Sequence, residues 1–404
     1  MSSLDISLSH GAFPASSLAP LDHLVEHSPA RMLDPGFSRT AACVSTITWL
    51  DGDAGELRYR GYDVADLAEH KSFEAVCSLL LAGELPTAAE LDALLHEVAA
   101  LEVPQALRDL AATLGAVCHP MLAMQAVTAA MGGYHATTRV AGSAQAYRDV
   151  LPVFLAWWPQ LAGDIHRAGH NLPLADQGTG SYTIRLLAAC GLEADASTVR
   201  ALEVLLVCHA DHELNCSTTT ARTAASAHAD VFASMAAALG SLSGPLHGGA
   251  NEAVIRQLAE LSLTGRSGSE LVEQVTTGEL RLMGFGHRVY KNYDPRARII
   301  RHTSEDVFKA RGEHPLLKLA LDVEEHALAS EYFSKRKLFP NVDFFSGLVY
   351  EALGFDPSFF TVLFALGRIP GWLAHSAEQL DDSTQRIVRP LQVFEGITYR
   401  PLPE

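Results

Sequence analysis

The apolar residues of this chain recur mostly at helical spacing. Thr87 and Glu90 stand as a capping-box pair, and Leu91, Leu94, Leu95, Val98 and Leu101 follow at helical intervals, which predicts a helix with one face in the core. Stretches of the same period occupy 66–82, 121–135, 198–215, 229–243, 251–263, 316–332, 344–353 and 357–380. Early in the chain the pattern is different. Thr46–Leu50 and Glu56–Arg60 flank an Asp- and Gly-rich stretch at 51–55, which predicts a β-hairpin. The predicted fold class is therefore mainly α, with a short N-terminal β-hairpin. Segment 229–243 is built of Ala, Ser and Gly around Met235 and Leu239; side chains this small admit close helix packing, as in a central or subunit-contact helix. No repeat at 20–50 residue spacing and no low-complexity tract is present, so a second domain would come from an internal segment.

At 404 residues the chain exceeds one ordinary core, so two lobes, or a large helical body with a smaller domain, are expected. Its 30 Lys and Arg against 47 Asp and Glu give a formal charge of −17. That balance argues against nucleic acid or an anionic membrane as partner and makes any cationic pocket a local arrangement. Cys43, Cys77, Cys118, Cys190, Cys208 and Cys216 show no C-x-x-C spacing and lie among apolar neighbours. Buried free thiols in a reducing compartment are expected, with no disulfide and no zinc ribbon. No apolar run reaches the ~18 residues of a membrane span. Residues 1–30 hold no Lys or Arg, unlike a secretory or organelle presequence. The expectation is a soluble, cytoplasmic protein with residues 1–32 as a mobile arm.

Five short segments carry chemistry. Residues 284–296 read G-F-G-H-R-V-Y-K-N-Y-D-P-R. Gly284 and Gly286 let the backbone pass close to a ligand beside His287, and Pro295 after Asp294 sets a turn that delivers Arg296. This suits an anionic, carbonyl-bearing substrate. In His209-Ala-Asp-His212-Glu213 two histidines fall one turn apart near a helix end; the order matches neither zinc-protease spacing, which favours neutral hydrogen bonding over metal. His247, in Gly244-Pro-Leu-His247-Gly-Gly-Ala-Asn251, precedes a helix N-terminus. The positive end of that helix disfavours imidazolium and leaves a neutral donor for a developing oxyanion. Asp343 lies among Val342, Phe344 and Phe345, where burial would make its carboxylate a better base; helix capping by Asp343 or Asn341 is the plainer reading. Arg368 sits in an apolar helix and Arg389 before Pro390. With Arg296 they suit a dicarboxylate, unless they pair with Glu378, Asp381 or Asp382. Each residue alone fits an ordinary structural role, but together they point to an enzyme that processes an anion.

These segments together resemble the citrate synthase family, from about Leu33 to Pro401. G-F-G-H-R-V-Y-K-N-Y-D-P-R is similar to the family signature and H-E-L-N-C-S at 212–217 to its substrate-site helix. G-P-L-H-G-G-A-N-E and P-N-V-D-F-F-S-G are similar to its two other catalytic loops. The early D-G-D-A-G-E-L-R-Y-R-G-Y and G-E-L-P-T are family-like as well. The resemblance implies a citrate synthase-like two-domain helical fold. Residues 33–249 with 351–404 would form a large dimer-forming domain, and 250–350 a small domain that closes over the substrates. It also implies citrate (Si)-synthase activity, an acyltransferase reaction of the tricarboxylic acid cycle. Asp343 would take a proton from the methyl of acetyl-CoA while His247 hydrogen-bonds the thioester oxygen. His287 would polarise the ketone of oxaloacetate, and His212, Arg296, Arg368 and Arg389 would hold its carboxylates, Arg389 coming from the partner subunit of a homodimer. Acetyl-CoA is then a co-substrate, and no bound cofactor or metal is implied. For CoA, Lys291 is the first candidate, Lys335 and Lys337 belong to a nearby basic run, and the backbone of 283–286 would receive the adenine. The family's NADH-inhibited hexamers carry an additional N-terminal β domain. The arm here is too short and polar for all of it, although M-L-D-P-G-F resembles that branch, and assembly beyond the dimer stays open.

Two alternatives stand beside this reading. A 2-methylcitrate synthase would use propionyl-CoA with the same residues, and one methylene is worth only ~1–3 kcal/mol of discrimination. A non-catalytic CoA- or dicarboxylate-binding regulator is opposed by the intact His247, His287 and Asp343.

Overall fold

The structure, a computed structural model, describes residues 33–135, 142–312 and 315–403; the arm expected at 1–32 lies outside the described residues. The chain divides into two units, one joining the described residues before Ile47 to those from Val388 onward, the other spanning Ile47–Ile387. In the first, the Asp34 carboxylate organises a turn by accepting from the Ser38 N–H and hydroxyl, the Arg39 N–H and the Thr40 hydroxyl. No helix or strand is formed by the described residues of this unit.

Ile47–Ile387 is mainly helical, with eighteen α-helices among the described residues and one antiparallel sheet. The hairpin forms as β1 (Thr48–Asp51) and β2 (Glu56–Tyr59), with Leu50 opposite Leu57. A two-residue third strand, β3 (Tyr62–Asp63), continues it in the order β1-β2-β3; two residues carry too little pattern to announce a strand.

Several predicted helices stop where a polar side chain takes over the backbone. The stretch 66–82 is two helices, Val64–His70 and Phe73–Ala82, because Ser72 caps the second by accepting from the Ala75 N–H. Ser330 likewise separates Pro315–Ala329 from the short helix Glu331–Arg336. The helix expected over 198–215 ends at His209, and the next begins at Cys216 with Asn215 as its cap. His212 therefore lies in a turn, not on a helix. The capping box at Thr87 and Glu90 forms, yet of the apolar positions that follow only Val98 is fully buried. The helix Leu151–Gly169, not among the predicted ones, is buried on nearly every side and holds Pro159, ordinarily a helix breaker, in its interior.

The core is organised around the long helix Phe360–Asp381, buried along almost all of its length. Pro370 inside it cannot donate to the Leu366 carbonyl; the Tyr182 hydroxyl reaches that oxygen at 3.4 Å instead. The small-residue helix Val231–Leu242 packs on Pro120–Met131 and Cys216–Ser226. All six cysteines are free, but only Cys77, Cys190 and Cys208 are buried. Cys43 and Cys118 are half-buried, and Cys216 is exposed as the first residue of its helix, which corrects the expectation of six buried thiols. No described helix is long and apolar enough to cross a membrane.

The long helix touches the turn after His209 at Gly371. A Cβ there would stand 2.4 Å from both the Ala210 carbonyl oxygen and Asp211 Oδ1. Alanine is otherwise the better helix former by ~1 kcal/mol, so Gly371→Ala separates propensity from fit. The expected outcome in chemical denaturation is a net loss of about 1–3 kcal/mol; equal or greater stability would show that the close approach is not required.

Candidate active site

Two loops are zipped together to bring a histidine and an aspartate to one place. The Gly286 N–H donates to the Phe339 carbonyl (2.8 Å), the Asn341 N–H to the Gly284 carbonyl (2.9 Å), and the Asn341 side-chain amide to the Gly286 carbonyl (3.0 Å). Gly284 and Gly286 have φ of 74° and 83°, and a Cβ on Gly284 would meet Val254 and Phe344 within 3.0 Å. These glycines serve the packing of the loop on its own protein. Beyond them, His287 Nδ1 accepts the N–H groups of Val289 (3.0 Å) and Tyr290 (3.2 Å), so the neutral ring carries its proton on Nε2. Burial, with the Arg296 charge adding to it, pushes His287 down to about 4.

On the other loop, Asn341 caps the helix Val342–Ala352 by accepting the Asp343 N–H. Capping therefore falls to Asn341 and leaves the Asp343 carboxylate unengaged. Asp343 is 9 % exposed, and its Oδ1 has no hydrogen-bond partner among the described residues. Burial pushes its pKa up to about 7 against the lowering charge of Arg296, a value suited to a general base.

Two cations define the opposite side. Pro295 is the first residue of the helix Pro295–Arg311, with Asp294 as its cap; the turn expected there is a helix start. Arg296, 2 % exposed, is gripped by Asp294 through Nε (3.1 Å) and Nη2 (2.8 Å). Arg368, 1 % exposed, donates Nε to the His209 carbonyl, and its Nη2 has no partner among the described residues. The acidic residues considered for it are engaged elsewhere: Glu378 pairs with Arg222, Asp381 with Arg148, and Asp382 accepts from Thr384 and Gln385. Burial pushes Arg368 down to about 10, still charged at neutral pH. A buried guanidinium with an open donor calls for an anion.

His212 bridges the two sides. Its ring centroid lies 5.1 Å from that of His287, and its Nε2 stands 3.3 Å from the Tyr290 hydroxyl. Burial, then Arg296 and His287, hold it well below the usual histidine range. His247 closes the site beside Phe364, whose ring also lies under Arg368. The Ser217 N–H donates to His247 Nε2 at 3.3 Å, with the Ser217 hydroxyl 2.8 Å away. A backbone N–H can only donate, so the His247 proton is on Nδ1. Burial and Arg368 push this ring down to about 4, and the helix Ala250–Leu263 starts three residues later without a side-chain cap.

The predicted lysines are all exposed. Lys291 is exposed, with its N–H donating to the Gly52 carbonyl (2.8 Å) of the hairpin turn and its ammonium to the Arg288 carbonyl (3.3 Å). Lys337 reaches Asp53 of the same turn at 3.7 Å, and Lys335 pairs with Glu331. Arg389 belongs to the other unit and is exposed. His209 is buried with its Nδ1 on the Leu205 carbonyl, and no metal-binding group of three His, Cys, Asp or Glu occurs among the described residues. Sequence reasoning passed over Asn215, Ser217 and Tyr290, which orient the histidines. The Asn215-Cys-Ser217 run at a helix start was a legible capping signal for the first two.

The family model described as "Citrate synthase, C-terminal domain" matches residues 36–391. The chain belongs to the citrate synthase family. It is 44 % identical over 384 residues to the citrate synthase of Corynebacterium glutamicum, covering 91 % of this chain and 87 % of that one. Citrate synthase 1 of Mycobacterium tuberculosis is 39 % identical over 98 % of this chain and 94 % of its own. Among solved structures, citrate synthase from Thermoplasma acidophilum, in a ternary complex with carboxymethyl coenzyme A and oxaloacetate, superposes with a TM-score of 0.84 at 32 % identity. That match covers 93 % of this chain and 99 % of that chain. The Pyrobaculum aerophilum citrate synthase gives 0.80 at 34 % identity over 90 % and 93 %. The activity is accordingly that of a citrate synthase, an acyltransferase.

The raised Asp343 pKa makes a stability prediction independent of turnover. Between about pH 4 and pH 7 the folded chain holds a proton that the unfolded chain has lost, so wild-type stability falls as pH rises through that window. Asp343→Asn removes this loss. Its unfolding free energy relative to wild type is expected to climb from pH 4 to pH 7 by up to a few kcal/mol, ~1.4 kcal/mol for each pH step of one, and then level off. A pH-independent difference would mean that the carboxyl titrates normally.

Proposed function

We propose that the chain condenses acetyl-CoA with oxaloacetate and hydrolyses the resulting citryl-CoA to citrate and CoA. The observation that carries this reading is a partnerless buried carboxylate together with neutral histidines of opposite tautomer. In the ionised form Asp343 removes a proton from the methyl of acetyl-CoA. The His247 Nδ1–H donates to the thioester oxygen as its negative charge develops. The enol carbon attacks the ketone of oxaloacetate, whose oxygen accepts from the His287 Nε2–H, and water then releases citrate and the CoA thiol. Arg296, Arg368 and His212 hold the oxaloacetate carboxylates and Arg389 joins them from the partner subunit of a homodimer. The open Nη2 of Arg368 supports the first part of this.

Residues 250–350 act in this reading as a small domain closing on 33–249 with 351–404. Lys291 serves the CoA phosphates, with Lys335 and Lys337 as outer cations, and the backbone of 283–286 receives the adenine. No bound cofactor takes part. The free cysteines support a cytoplasmic location. The names of the relatives favour acetyl-CoA over propionyl-CoA.

The test is release of CoA thiol with oxaloacetate, with kcat/KM compared for acetyl-CoA and propionyl-CoA on one preparation. A clear acetyl preference is expected. A propionyl preference would reassign the chain to 2-methylcitrate synthesis, and no thiol from either would leave a binding protein. Asp343→Ala should lower kcat at least ~10²–10⁴-fold while oxaloacetate still binds; near-normal turnover would remove Asp343 as the base.

A further inference from the structure

Behind the turn that carries His212 runs a buried line of polar groups with no part in the proposed chemistry. One oxygen of the Asp211 carboxylate accepts the Thr48 hydroxyl from β1 (2.5 Å), the Glu213 N–H (3.1 Å) and His375 Nε2 (3.2 Å). The other has no hydrogen-bond partner among the described residues. His375 lies buried on the helix Phe360–Asp381, C-terminal to Arg368. Arg222 Nη1, which can only donate, stands 3.5 Å from His375 Nδ1 and 2.9 Å from its carbonyl, and pairs with Glu378 at 3.3 Å. The His375 proton therefore sits on Nε2, aimed at Asp211. Burial would raise the Asp211 carboxyl, but His375, Arg368 and the Thr48 hydrogen bond outweigh it and keep the group below the usual carboxylate range.

A buried carboxylate is costly unless something requires its charge. Here the requirement is the turn itself. Glu213 has φ of 50°, a left-handed conformation that a non-glycine residue holds only when its surroundings impose it. Asp211 imposes it by taking the Glu213 N–H, while the Gly371 N–H fixes the Ala210 carbonyl at 3.1 Å on the other flank. His212 lies between these two anchors.

We propose that Asp211, aligned by His375, is a positioning residue for oxaloacetate, holding the 210–215 turn so that His212 stands beside His287. This rests on the reading of the site as an oxaloacetate pocket. Asp211 touches no substrate; it acts through the backbone on either side of His212. Its loss should therefore weaken oxaloacetate binding more than it slows turnover.

The test is calorimetric oxaloacetate binding alongside steady-state kinetics for wild type, Asp211→Asn, His375→Leu and His375→Gln. Asp211→Asn and His375→Leu are expected to raise Kd and KM for oxaloacetate about tenfold or more, the scale of a lost hydrogen bond to a charged group. The KM for acetyl-CoA should stay near wild type and kcat should fall less than the oxaloacetate affinity. Glutamine returns an N–H close to the place of Nε2, so His375→Gln should recover much of what His375→Leu loses. If Asp211→Asn does not fold, the two His375 variants carry the same comparison. Folded variants with wild-type oxaloacetate affinity, or with kcat alone reduced, overturn the positioning role. Wild-type protein that binds no oxaloacetate overturns the pocket reading and this inference with it.

Discussion

Two guanidinium groups buried within one cluster set the terms for everything around them. Arg296 and Arg368 are removed from solvent, and among the described residues only Arg296 has a carboxylate bonded to it. Asp294 offsets the cost of burying Arg296, whereas Arg368 leans on a backbone carbonyl and keeps an open donor. The positive potential that remains is what a dicarboxylate would neutralise, and until one arrives it acts on the neighbours. Burial comes first in lowering His212, His247 and His287, and the arginine charges come next. The rings are thereby neutral at physiological pH, each with one donor and one acceptor.

Neutrality makes the tautomers consequential. The Ser217 N–H occupies Nε2 of His247, while the Val289 and Tyr290 N–H groups occupy Nδ1 of His287. Backbone donors decide both cases, so the donor each ring presents is fixed by chain geometry. Asp343 is the counterpart on the acidic side. Burial raises its pKa, with the Asp294 charge adding to it against Arg296, and with Asn341 taking the capping duty no hydrogen bond offsets that burial at Oδ1 among the described residues.

The chemistry-bearing segments were legible because glycine, proline, histidine and arginine are conspicuous in an apolar helical chain. Asp343 among Val342, Phe344 and Phe345 could be suspected of burial. Whether it or Asn341 capped the helix could not, since both residue types cap. The hairpin was readable from its turn, and the Thr87 helix from its capping box. The break at His209 was not, because Ala210 to Leu214 holds no Gly or Pro to announce the end of a helix. Leu151–Gly169 was hidden for the opposite reason, since Pro159 in its interior reads as a helix breaker. Residues that work through others, such as Ser217, Tyr290, Asp211 and His375, carry no local signature. Only the fold brings their partners to them.

His247 and His287 are neutral and carry their protons on opposite ring nitrogens. The most direct measurement is ¹⁵N NMR of the imidazole nitrogens at pH 7, assigned with single His247→Asn and His287→Asn variants. Proton on Nδ1 for His247 and on Nε2 for His287, both rings uncharged, is the predicted result. An imidazolium signal from either ring, or the reverse tautomer, would contradict the account.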